Sequence, residues 1–146
     1  MAILSQGITS FLATAAFGIL FNAPKESLVK CGLIGMGGWL LYFLLEDYSN
    51  DAILATLVAS IFIALLSQEM AKLYKMPVII FSVAGIIPLV PGGLAYDAMR
   101  NIVENDYNTA IAFGAKVLML AGSIAFGLVF SEVINQIAKK IKHSRI

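Results

Sequence analysis

Two prolines and two glycines, Pro88, Pro91, Gly92 and Gly93, fall within six residues inside the apolar run 77–96. Each proline removes a backbone donor and clashes with the carbonyl four residues back, and glycine permits a sharp change of direction. A second helical piece beginning at Pro91, a residue suited to a first helical position, would present uncovered amides to an anion such as a carboxylate. The plainer alternative is a proline kink packed on its neighbours, although two prolines and two glycines exceed what a kink requires. Lys116, inside TAIAFGAKVLML, is the second candidate. A lysine at membrane depth can pair with a cargo carboxylate or with an acid such as Asp97, or it can simply snorkel towards the interface.

Other polar residues carry two readings each. Glu69, beside Gln68, would relay protons if burial raised its pKa, or would be an interfacial acid neutralised by Lys72. Asp97 and Arg100 are three apart and can meet on one helix face, as a gate at the outer mouth or as a solvated pair. Asn22 can cap the next helix or touch cargo, and Tyr96 can be an interfacial aromatic or part of a pocket.

These residues need elements to hold them, and composition says what kind. Of 146 residues, 60% are hydrophobic and 13% charged, with a mean hydropathy of +0.88. About a quarter of a soluble domain is charged, so this is the composition of an integral membrane protein. Apolar runs at 3–21, 28–45, 52–70, 77–96 and 109–131 each approach the ~20 residues of a spanning helix. Short connections between them predict a single all-α domain over 1–146, a bundle of five transmembrane helices with the fourth broken at Pro88–Gly93. Ala13-Thr14-Ala15 resembles a signal-peptide cleavage site, but no Lys or Arg precedes it, so the first run reads as a retained helix. Lys25, Lys30, Lys72, Lys75, Lys139, Lys140, Lys142 and Arg145 fall on one side, whereas Glu46, Asp47, Asp51, Asp97, Glu104 and Asp106 fall on the other. The positive-inside rule then puts the N-terminus outside and the C-terminus inside.

Small residues recur at helical spacing: Ser10, Thr14 and Gly18; Gly32, Gly35 and Gly38; Ser123 and Gly127. Such faces let helices approach closely in lipid, within one chain or between subunits, and the face on run two can also be read as flanking a cargo path. A net charge of +1 gives no nucleic-acid surface, and the lone Cys31 excludes an internal disulfide and a cysteine-based zinc site. The only histidine, His143, lies in the basic tail, and no H-E-x-x-H, G-x-S-x-G or phosphate loop is present. The reading is therefore a non-enzyme without metal or cofactor.

Phe21-Asn22-Ala23-Pro24, Cys31-Gly32-Leu33-Ile34-Gly35, Pro77 and the run Gly85-Ile86-Ile87-Pro88-Leu89-Val90-Pro91-Gly92 with Tyr96 and Met99 resemble the threonine/serine exporter family. More narrowly, they resemble the small YjjB-type subunit of its split form, which works beside a larger YjjP-type subunit. The resemblance implies a subunit of a secondary exporter in the bacterial plasma membrane, moving threonine, serine or a succinate-like dicarboxylate. An odd span count further suggests a partner half of opposite topology, with cargo bound between the halves. Gly92 and Gly93 would take the carboxylate, helped by Lys116 or Arg100, with Tyr96 and Asn22 shaping the pocket. Two other readings remain beside it: an accessory subunit that never touches cargo, and a self-associating channel.

Overall fold

A computed structural model describes residues 2–143, which are almost wholly helical, with no strand among them. The elements are α1 (Ala2–Leu20), α2 (Lys25–Ser49), α3 (Ala52–Tyr74), α4 (Val78–Ile86), a 3₁₀ turn (Ile87–Leu89), α5 (Gly92–Val103) and α6 (Tyr107–His143). Arg145 and the side chains of Lys142 and His143 lie outside the described set. Four helices are long and apolar enough to cross a bilayer, and the pair Val78–Leu89 and Gly92–Val103, bent by 53°, forms a fifth span if taken as one.

Connections are short because their residues stop and start helices locally. Asn50 ends α2 in the left-handed conformation, at φ 52°, and Asp51 then caps α3 by accepting from the Ile53 and Leu54 amides at 2.9 and 3.3 Å. Lys75 (φ 54°) and Asn105 (φ 62°) turn the chain in the same way before Pro77 and Asp106. Asp106 accepts from the Thr109 amide at 3.2 Å, and its bonds to Thr109 hold its carboxyl below the usual range. Removing a cap of this kind typically costs about 1 kcal/mol. Asp51→Ala should therefore lower thermal stability in detergent by that order while Asp51→Asn largely restores it. An unchanged melting temperature for Asp51→Ala would show that the cap contributes nothing.

Helices approach closely where Gly32, Gly35, Gly38, Gly85 and Gly127 remove a side chain. A Cβ on Gly32 would fall 2.6 Å from the Phe11 ring, and one on Gly35 would overlap Thr14, so α2 lies tight on α1. A Cβ on Gly38 would overlap Ile63, and one on Gly85 would sit 2.8 and 2.9 Å from Ile34 and Ile63. Ile34, Ile63 and Phe81 are fully buried there, where α2, α3 and α4 meet. On the far side of α3, a Cβ on Gly127 would overlap Ser60 and lie 3.2 Å from the Ile61 amide nitrogen. Ser60 Oγ also donates to the Ser123 carbonyl at 3.4 Å. The small residues thus seat helices of the same chain against one another.

The helices define two ends. Lys25, Lys30, Lys72 and Lys75 cluster at one, where Lys30 Nζ lies 3.3 Å from the centre of the Tyr74 ring. Glu46, Asp47 and Asp51 lie at the other. Ser60 faces Ser123 and Gln68 faces Glu132, offsets of 63 and 64 residues between parallel helices. The same offset puts Lys116 level with Ala52, the first residue of α3. The first nine residues of α6, Tyr107 to Ala115, therefore project about 13 Å past the start of α3. There α5 packs on α6 and makes only marginal contact with anything else.

Candidate functional site

The break is built in two parts. Ile87, Pro88 and Leu89 tighten into the 3₁₀ turn, which packs on α1 and α2, and Leu89 is buried. Val90 then extends and Pro91, at φ −77° and ψ 53°, leads into α5. Two expectations need correction. Pro91 is the residue before the helix rather than its first member, which is Gly92. The change of direction also uses no glycine dihedral, because no glycine among the described residues has positive φ.

What Gly92 and Gly93 contribute is open space, since a Cβ on either would meet nothing within 4 Å. The Gly92 amide donates to the Val90 carbonyl at 2.8 Å and the Ala95 amide to Pro91 at 3.0 Å. The Gly93 and Leu94 amides between them have no turn or cap partner among the described residues. They remain uncovered donors at the positive end of a helix dipole.

Lys116 stands at a similar height to this helix end along the α5–α6 hairpin. Gly93 is ten residues before Val103 and Lys116 nine after Tyr107, so both lie about 14–15 Å from the connecting turn. Lys116 is exposed and has no ion-pair partner among the described residues. Its level with Ala52 puts it at the acidic mouth of the bundle instead of deep inside.

The other expected residues scatter. Arg100 pairs with Glu104 at 2.8 Å rather than with Asp97, because i,i+4 spacing on the last turn of α5 brings Glu104 to its Nε. Asp97 uses its carbonyl to accept from Asn101 Nδ2 at 2.7 Å and forms no salt bridge among the described residues. Tyr96 is 67% exposed. Asn22 lies at the basic end, in the left-handed conformation, and lines a cavity of about 270 Å³ with Ile79, Ile80 and Val83. It makes no cap for α2, which starts from Pro24, and it cannot share a pocket with Tyr96 near the opposite end. The Glu69 side chain is 72% exposed and bonded to Lys72 at 2.6 Å, so the burial that a proton relay requires is missing.

Two polar pairings cannot be read from the sequence. Gln68, only 4% exposed, donates to Glu132 at 3.2 Å across α3 and α6, beside the buried hydroxyl of Ser131, which has no partner among the described residues. Near the turn, Trp39 Nε1 donates to Gln6 Oε1 at 2.9 Å, and Gln6, Thr9, Ser10, Ala13, Trp39 and Pro88 line an open pocket of about 180 Å³. Both pairs join residues more than thirty positions apart, which no local spacing rule can link.

A helical membrane bundle with a span broken near its middle, its second piece starting on uncovered amides, has the architecture of a transport protein. The chain belongs to the threonine/serine exporter family: the family model described as Threonine/Serine exporter, ThrE, matches residues 6–134. That family is one of transporters rather than enzymes. A Haemophilus influenzae protein described as uncharacterized is 26% identical over 136 residues, which cover 88% of this chain and 46% of that protein. The chain thus spans about half the length of this relative. No solved structure matches it.

Proposed function

We propose that this chain is one membrane half of a secondary exporter, and that its acidic mouth captures the carboxylate of a small amino acid. The observation that carries this reading is the unpaired Lys116 set level with the uncovered amides of Gly93 and Leu94, in a chain of the exporter family. Five spans with Lys-rich loops on one side support a topology with the N-terminus outside and the C-terminus in the cytoplasm of a bacterium. A relative about twice as long supports a second half, of YjjP type and opposite topology, working beside this one. In this arrangement α1–α4 form the scaffold, and the α5–α6 hairpin carries the anion site. Arg100 and Lys72, each already paired, add no free cation. A single mouth lysine suits one carboxylate better than two, which favours threonine or serine over succinate.

The test is counterflow in proteoliposomes containing this chain with and without its partner half, using labelled threonine, serine and succinate. Uptake of the amino acids only when both are present is the expected result. Flux through this chain alone would instead make it a self-associating channel. Gly93→Val, whose Cβ meets no neighbouring atom while its side chain shields the amides, should reduce uptake about tenfold or more at normal membrane levels, the scale of a lost hydrogen bond to a charged group. Undiminished uptake would remove the helix end from the site.

A further inference from the structure

We infer that the small open pocket beneath the 3₁₀ turn, lined by Gln6, Thr9, Ser10, Trp39 and Pro88, is an uncharged cargo subsite that reads a hydroxyalkyl group. This rests on the exporter reading above, but on different residues. The first argument is depth. Gly38, the neighbour of Trp39, faces Ile63, the twelfth of the 23 residues of α3, so the pocket lies at the middle of the bundle. Trp39 is fourteen residues, or about 21 Å, from the start of α2 at the basic end. Pro88 arrives at the same level from Val78, ten residues along the chain.

The second argument is chemistry. Polar side chains at that depth are costly in lipid and are retained where they face protein or a wet cavity. Gln6, Thr9 and Ser10 gather on the side of α1 that lines this pocket, in a helix that is otherwise mostly apolar. Gln6 gives its carbonyl oxygen to the Trp39 N–H, which leaves its amino group without a partner among the described residues. Thr9 and Ser10 donate to the Ser5 and Gly7 carbonyls at 2.8 and 3.0 Å, so their oxygens are left to accept. The pocket thus offers amide donors and hydroxyl acceptors among carbon surfaces, with no charged side chain in its lining. That set matches a hydroxyl beside a methyl group and gives a carboxylate nothing to neutralise it.

The third argument is separation. Position 63 of α3 is eleven residues below Ala52, the level of Lys116, and Gly93 is five residues beyond Pro88, so pocket and mouth lie roughly 10–16 Å apart. A molecule the size of threonine cannot bridge that distance. The mouth and the pocket are successive stations on one path, the first selecting charge and the second selecting the side chain.

Competition in the two-subunit proteoliposomes tests this directly, comparing threonine with 2-aminobutyrate, which is threonine without its hydroxyl. The intact protein should prefer threonine about fivefold or more, the value of one net hydrogen bond. Thr9→Val, Gln6→Leu and Trp39→Phe should each bring that ratio towards one, with threonine uptake falling more than 2-aminobutyrate uptake. Should Gln6→Leu fail to accumulate, the shape-preserving Thr9→Val decides. A preference that survives in the variants, or an intact protein that does not discriminate, overturns the pocket and leaves the mouth untouched. An intact protein that moves no amino acid overturns the exporter reading and the pocket together.

Discussion

Gly127→Val will separate α6 from α3 and sharply reduce the yield of folded protein. The glycine sits where α6 crosses α3, and a side chain there would run into Ser60 and the Ile61 backbone nitrogen. A flexible neighbour could rotate away, but backbone cannot, so the helices must part along the contact that also holds Ser60 to Ser123. Overpacking of this kind typically costs about 1–3 kcal/mol, and more where backbone must move. Size-exclusion profiles and thermal unfolding in detergent will read the loss. The same helix supplies its own controls, because a Cβ on Gly114 or Gly122 would meet nothing within 4 Å. Gly114→Ala and Gly122→Ala should be neutral or stabilising by up to about 1 kcal/mol, from helix propensity alone. If Gly127→Val behaves like these two, the α3–α6 contact is not where the structure puts it.

Lys116→Met will reduce threonine and serine uptake by about 10- to 100-fold without lowering the amount of protein in the membrane. The range follows from the ~1.5–3 kcal/mol of a hydrogen bond to a charged group. Protein levels should hold because the side chain is exposed and bonds to no other described residue. Lys116→Arg keeps the charge and should retain most of the activity. A lysine that merely reaches for the interface predicts the opposite: Lys116→Met would transport normally and be slightly more stable. Initial rates normalised to membrane protein separate the two, and rates equal to the unmodified chain would remove Lys116 from the site.

Much of the fold could be read along the chain because lipid permits few solutions. Apolar runs of about twenty residues must be helices, and prolines at 88 and 91 must interrupt one. The spacing of Gly32, Gly35 and Gly38 marked the packed face of α2, since glycine at such intervals serves close approach. Less of the site was legible. Arg100 has Asp97 three residues before it and Glu104 four after, and sequence does not rank these partners. Asn22 and Tyr96 sit in family motifs, but the order of motifs does not show that the two residues lie far apart. Gln6 with Trp39, and Gln68 with Glu132, meet only because antiparallel and parallel neighbours align them. The apolar run 109–131 also understates α6, whose helix continues through Glu132, Gln136 and Lys140, good helix formers outside the apolar stretch.

The length of α6 has a mechanical consequence. Its 37 residues make a rod of about 55 Å, held to α3 near Gly127 and carrying α5 at one end and the Glu132–Gln68 contact nearer the other. A rod pinned part-way along is a lever. A tilt of about 5° about that pivot would move the α5 end by roughly 2–3 Å, at an arm of about 30 Å, while Glu132, five residues from the pivot, would shift by well under about 1 Å. Displacement at the α5 end therefore arrives at the Glu132–Gln68 contact reduced in amplitude and increased in force.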